Sequence, residues 1–227
     1  MVLIGLGHKC RQGKNTVADV MKAQNNQIKL YAFADELKMY CKEHHKQLVH
    51  QWSEDINTHN IRSLNPPKDD PIYGYTQILQ WYGTDVARKS DPDTWIKALE
   101  ARLRLEVPSV AVITDVRFPN EAAYVKEKGG YMVNVIRLNK DGSQFLDAGR
   151  DPNHPSEVAL DDYEGYDFTI EVKDGNFEDL RRKAIGVWNL VDPNSKYDIP
   201  EYVDEPDYGS IIASFVEADD DGTGFKS

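Results

Sequence analysis

Gly13-Lys14-Asn15-Thr16 sits between a short apolar run, Val2-Leu3-Ile4, and a helical pattern carrying Val17, Val20 and Met21 on one face. Gly5 and Gly7 break the apolar run. Strand, glycine-bearing loop ending in Gly-Lys and then helix is a layout that holds phosphate. Backbone N–H groups and the helix N-terminus face the anion, and the lysine supplies a charge at the terminal phosphates. The spacing departs from the general pattern in two places. The first glycine falls at Gly7, one residue beyond the usual position, which His8 occupies; and Asn15 stands directly after the lysine, with the hydroxyl displaced to Thr16. Asn15 still offers a neutral carbonyl oxygen to a metal ion. A second candidate group ends the buried strand Pro108–Asp115. An acid at the carboxyl end of such a strand can hold magnesium, directly or through water, and can alternatively cap the next helix. Arg117, two residues on, would face the same crevice.

These residues need a frame. Gln27–Phe33 reads as a second strand, 130–137 as a fourth and 166–172 as a fifth, each followed or preceded by helical patterns. The helices are expected over Glu36 to about Val49, Thr76–Arg88, a segment opened by Asp91-Pro92-Asp93, a segment to about Gly129 led into by Val116-Arg117-Phe118-Pro119-Asn120-Glu121, and Phe177 to about Leu190. Strands alternating with helices imply an α/β fold, a mainly parallel sheet covered on both faces. The long stretch from Trp52 to Tyr75 is of the kind that is functional or mobile. His44, His45 and His50 lack the spacing of a metal ligand set, and a solvated helix face suits them better.

Composition narrows the function. The chain has 227 residues, 40% hydrophobic and 29% charged, with a net charge of −11. That charge argues against a nucleic-acid groove. No apolar run reaches the roughly twenty residues that span a bilayer. Cys10 and Cys41 have no metal spacing, so the expected compartment is a reducing cytoplasm. The segment 191–227 holds ten acids against two lysines, −8 of the −11, and reads as an extended tail outside the catalytic unit.

Five stretches, taken together and in order, resemble the bacteriophage deoxynucleoside monophosphate kinases. They are Gly5-Leu-Gly-His-Lys-Cys-Arg-Gln-Gly-Lys-Asn-Thr16, Phe33-Ala-Asp-Glu-Leu-Lys38, Leu79-Gln-Trp-Tyr-Gly-Thr-Asp85, Asp115-Val-Arg-Phe-Pro-Asn-Glu121 and His154-Pro-Ser-Glu157. Family members commonly carry Asp where Asn15 stands. The resemblance runs from Leu3 to about Leu190. It implies a P-loop kinase fold with a five-stranded parallel core flanked by helices, a helical substrate-binding part at about 35–105 and a lid at about 138–165. It also implies ATP and Mg²⁺ as cofactors and a dNMP as the small-molecule substrate.

On this reading Gly13, Lys14, Asn15 and Thr16 bind the ATP phosphates, and Asn15, Thr16 and Asp115 hold the metal. Arg11 and Arg150 neutralise the transferring group, although Arg150 could equally be an exposed loop charge. Arg88 and Arg117 grip the acceptor, with Asp35 and Lys38 lining the crevice. Trp81 and Tyr82 can stack on a base or fill the core; Ser156 and Glu157 can cap a helix or contact the nucleotide. Two other readings stay open at this stage. One is a P-loop kinase of another small molecule, such as a dephospho-coenzyme A kinase-like enzyme. The other is a non-enzymatic nucleotide-binding module that uses the tail. An exposed strand or helix could pair two copies as a homodimer.

Overall fold

The computed structural model describes residues 1–7, 9–44, 47–48, 78–147 and 151–192. His8, His45, His50, the stretch from Trp52 to Tyr75, Arg150 and the acidic tail from 193 onward lie outside the described residues. Five strands, β1 (Val2–Gly7), β2 (Ile28–Tyr31), β3 (Val110–Val116), β4 (Tyr131–Leu138) and β5 (Phe168–Lys173), form one sheet in the order β2-β3-β1-β4-β5. Every pairing is parallel, with Ile4 opposite Val112 and Tyr131, and Val133 opposite Phe168. β1 and β3 lie side by side in the sheet, and Leu3, Ile4 and Leu6 of the one and Val110, Ala111, Val112 and Ile113 of the other are apolar and buried because both faces are covered.

One face buries Leu3, Ile113 and Met132 against α2 (Ala34–Glu43), α3 (Thr94–Glu106) and α4 (Pro119–Glu127), through Phe33, Leu37, Trp95, Leu99 and Ala122. The other buries Ile4, Val112, Val133 and Ile170 against α1 (Lys14–Gln24) and α6 (Phe177–Val191), through Val17, Met21, Ala184 and Trp188. Each large apolar side chain fully removed from water on these faces contributes about 1.5–3 kcal/mol, so the two layers hold the sheet firmly under the site. The short helix α5 (Pro155–Val158) lies near the fifth strand in sequence. No helix among the described residues is long and apolar enough to cross a membrane.

The expected elements are all present with shifted ends. β2 stops at Tyr31, and α2 starts at Ala34, two residues before its expected start, because Asp35 turns back to accept the Ala32 N–H at 3.1 Å. α2 ends at Glu43, and the described residues 47–48 of the stretch expected to reach Val49 are helical too, with the Leu48 N–H donating to the His44 carbonyl at 3.0 Å. β3 runs one residue past Asp115, to Val116. The helix expected over Thr76–Arg88 is wider than an α-helix: Trp81–Arg88 is a π-helix, flanked by helical residues at 78–80 and 89–90. Gly83 lies where this helix meets α2. A Cβ there would come 2.5 Å from Leu37 Cδ2, and the Gly83 carbonyl accepts the Trp95 indole N–H at 3.1 Å. Gly83→Ala therefore forces Leu37 out of its packed position. It is expected to cost about 1–3 kcal/mol of stability, read as a lower urea midpoint. An unchanged midpoint would show that the contact relaxes freely.

Candidate active site

β1 delivers the loop at the carboxyl edge of the sheet, and its pairing with β3 slips between Gly5 and Gly7 as the chain turns upward. A Cβ on Gly7 would strike the Tyr166 hydroxyl at 2.8 Å, so glycine is required there by close approach. The loop ends at Gly13 with φ +99°, a left-handed conformation that glycine takes at no steric cost. Arg11 is also left-handed, at φ 55°. Its strain is met by neighbours: the Arg137 guanidinium donates to the Arg11 carbonyl at 3.4 Å, and the Arg11 side chain pairs with Asp147 at 3.3 Å.

Gln12 explains how the loop is fastened from behind. It is 2% exposed; its carbonyl oxygen accepts the Arg137 backbone N–H at 2.8 Å and its amide donates to the Phe145 carbonyl at 2.8 Å. One buried amide thus ties the loop to the end of β4 and to the segment after it.

Lys14 opens α1 and is 6% exposed. Its ammonium donates to the Lys9 carbonyl within the same loop. Burial, and then the Arg117 guanidinium nearby, push it down to about 7. A phosphate placed in the loop would restore its charge, since an anion favours the protonated lysine. Asn15 is exposed and Thr16 half-buried, both on the first turn of α1 and both lining the cleft.

Asp115 joins the second strand–helix junction to the site. Its two carboxylate oxygens accept the Phe33 N–H at 2.7 Å and the Ala34 N–H at 3.0 Å. It therefore caps α2, not the helix that follows it in sequence. The cause is the register: Tyr31 lies opposite Ile113, so the residues two further on meet.

Arg88 and Arg117 are both held by buried carboxylates. Arg88 bonds Glu121 and lies 4.1 Å over the Phe118 ring. Glu121 is 1% exposed and also accepts the Arg117 and Phe118 backbone N–H groups, at 2.8 and 3.1 Å. Burial pushes the Glu121 carboxyl up to about 7 against the pull of Arg88. The Arg117 guanidinium donates to Glu157 at 2.7 Å and to the Ser156 carbonyl at 3.2 Å. Such pairs fix each guanidinium while leaving further donors for a ligand.

A cleft of about 900 Å³ brings these groups together, lined by the loop from Cys10 to Thr16 and by Arg88, Asp115, Arg117 and Arg137. Asp35, Lys38 and Ser156 line it as well. Asp35 also pairs with Arg102 at 3.3 Å, and Lys38 lies 3.8 Å from Asp35. Trp81 does not line the cleft. At 4% exposure it belongs to the core, and Trp95 from α3 takes the place at the cleft wall. Tyr82 stacks on Tyr40 with ring centres 4.9 Å apart, so its partner is a side chain. Glu157 lies behind the cleft and not on its wall.

No family model matches the sequence. A protein of Acanthamoeba polyphaga mimivirus, provisionally named a deoxynucleotide monophosphate kinase, is 32% identical over 184 residues, covering 75% of this chain and 88% of that protein. The chain belongs to the deoxynucleoside monophosphate kinase family. The deoxynucleoside-5′-monophosphate kinase of Escherichia phage T5 is 35% identical over 115 residues, 46% of this chain and 43% of that one. A solved dephospho-CoA kinase from Campylobacter jejuni superposes with a TM-score of 0.46 at 14% identity, over 85% of this chain and 98% of that one. That likeness is too distant to bear on substrate.

Three residues of this kinase escaped the reading of its sequence: Gln12, Arg137 and Trp95. Arg137 ends an expected strand and Trp95 belongs to an apolar helical stripe, so neither carried a local signal. Gln12, between Arg11 and Gly13, could have been flagged as a polar residue inside a tight loop.

Proposed function

We propose that this kinase transfers the γ-phosphoryl group of ATP to the 5′-phosphate of a deoxynucleoside monophosphate, giving the diphosphate and ADP. The observation that carries the reading is the convergence of Lys14, Arg88 and Arg117 on one cleft at the carboxyl ends of β1 and β3. Its volume of about 900 Å³ lies near the top of the usual range for ligand pockets, about 300–1,000 Å³, which suits two nucleotides placed end to end. The acceptor is already an anion and needs little proton removal. The barrier is the mutual repulsion of two phosphates and their alignment, and fixed cations reduce both.

In this reading the Gly13–Thr16 turn cradles the β- and γ-phosphates, and Lys14 moves from the Lys9 carbonyl onto them. Arg88 and Arg117 hold the acceptor phosphate, each pre-aligned by its carboxylate. Arg11, across the cleft mouth, can neutralise the group in transfer once it leaves Asp147. Arg150 keeps the same proposed part, outside the described residues. Asp35 and Lys38 line the acceptor side. Ser156 lines the cleft as well, with its hydroxyl engaged by His154 Nδ1 at 2.8 Å and its carbonyl by Arg117 at 3.2 Å.

The residues present fit a magnesium ion. Asp115 keeps an unused lone pair on each oxygen after capping α2, and Asn15 and Thr16 add oxygens along the same cleft, an all-oxygen set of the hard kind that Mg²⁺ takes. When bound, the ion supplies positive charge to the phosphate oxygens.

The test is ADP release from ATP·Mg²⁺ with each deoxy- and ribonucleoside monophosphate in turn, with and without EDTA. Turnover with at least one deoxynucleotide, abolished by EDTA and restored by Mg²⁺, is the expected result. Silence with every acceptor while ATP still binds would move the search to another phosphate acceptor.

A further inference from the structure

Glu157 is bonded by two elements that the proposed reaction uses separately. Oε2 accepts the Cys10 backbone N–H at 2.9 Å, and Oε1 accepts the Arg117 guanidinium at 2.7 Å. The Glu157 backbone carbonyl accepts Lys9 Nζ at 2.8 Å, and the preceding carbonyl, of Ser156, accepts Arg117 at 3.2 Å. Cys10 and Lys9 belong to the donor loop, while Arg117 faces the acceptor. The Glu157 side chain is 8% exposed. Beside it is a cavity of about 20 Å³, walled by Cys10, Gln12 and Phe145, with room for about one water and none for a nucleotide. Glu157 therefore does not touch substrate. Its own position is set by α5, whose first turn is capped by His154, which accepts the Ser156 N–H at 3.2 Å.

We propose that Glu157 is a positioning residue that couples the donor loop to Arg117, so that filling one half of the cleft raises the affinity of the other. The inference rests on the two-nucleotide reading above. A buried carboxylate with one oxygen on a backbone N–H and the other on a guanidinium cannot follow one partner without stretching its bond to the other. Charge-assisted bonds of this kind are short and directional. Ordering the loop on ATP thus fixes the carboxylate, which fixes Arg117 before the acceptor arrives. By linkage the acceptor must tighten ATP by the same factor.

The experiment measures the Kd of AMP-PNP·Mg²⁺ by calorimetry, alone and with a saturating amount of the dNMP that the wild type turns over best. In the wild type the second Kd is expected to be roughly fivefold lower or more. Glu157→Gln can accept from only one of the two partners, and the ratio should fall to about one. Glu157→Asp keeps the charge but is one methylene too short to span both, so its ratio should fall as well. A role limited to neutralising Arg117, or to stability, would leave the aspartate variant with the wild-type ratio. That outcome would overturn the proposal, as would a ratio of one in the wild type. Should Glu157→Gln fail to fold, the aspartate variant decides alone. Because wild-type turnover of dNMPs is read in the same preparation, a failure of coupling is distinct from a failure of the kinase reading.

Discussion

Lys14→Met lowers kcat/KM for phosphoryl transfer by about 10³-fold and at the same time makes the folded protein more stable. The first effect follows from removing a buried cation from the donor loop, where losing one preorganised donor alone typically costs 10²–10³-fold. The second follows from burial. Lys14 is 6% exposed and pushed down to about 7, so the folded protein holds its ammonium less readily than the unfolded chain does. Between about pH 7 and the ordinary lysine range the unfolded chain binds more protons, and wild-type stability rises with pH across that window. Below about 7 the cost is present in full. The methionine variant lacks it, and at pH 6 should gain on the order of 2 kcal/mol, or about 5 °C in Tm, after allowing for the lost bond to the Lys9 carbonyl. Thermal unfolding at pH 6 and 9 together with coupled ADP release measures both effects. A variant that loses stability, or that keeps turnover, would remove Lys14 from its assigned place.

The same proton should be visible in binding. Above pH 7 the free loop carries a largely neutral Lys14, and phosphates favour its charged form. ATP binding near pH 8 is then accompanied by uptake of a fraction of a proton, which calorimetry in buffers of different ionisation enthalpy resolves and which the methionine variant lacks.

Glu121→Ala should produce the largest loss of stability, about 3–5 kcal/mol, or roughly 10 °C in Tm. The carboxylate is 1% exposed and serves Arg88 together with the Arg117 and Phe118 backbone N–H groups. Alanine leaves a half-buried guanidinium uncompensated and two backbone donors without an acceptor. Because Arg88 and the turn carrying Arg117 both loosen, turnover should fall as well. Glu121→Gln keeps the volume and one acceptor and should cost less, about 1–3 kcal/mol. Urea unfolding followed by far-UV dichroism checks the order. An alanine variant as stable as the glutamine one would show that the carboxylate does not hold the pair.

Local chemistry was legible where a residue's role depends on its immediate neighbours. Gly13, Lys14 and Thr16 could be assigned because strand, loop and helix are contiguous, and the left-handed turn at Gly13 is a property of that residue type. The parallel α/β layout followed from the alternation of apolar runs with helical stripes, and the five strands stand where those runs are. Asp115 was correctly placed at a carboxyl edge, yet its partner was not. Only the register of β2 against β3 puts Phe33 and Ala34, some eighty residues away in the chain, against its carboxylate.

Trp81 and Trp95 make the limit clear. Both are aromatic residues on helices, and spacing alone treats them alike. The π-helix turns Trp81 into the core, and the Gly83 carbonyl takes the Trp95 indole at the cleft wall. Glu121 and Glu157 were visible as acids in short motifs, and the Arg117 and Phe118 N–H groups that Glu121 accepts are local, but the guanidinium each holds comes from 33 and 40 residues away, and the Cys10 N–H on Glu157 from 147. What the sequence by itself determined is therefore the strand–loop–helix turn at Gly13, the order of the elements and the family. The tertiary structure alone decided which carboxylate steadies which arginine. Strand and loop signals are encoded in neighbouring residues, whereas a buried ion pair exists only once packing has removed water from around both partners.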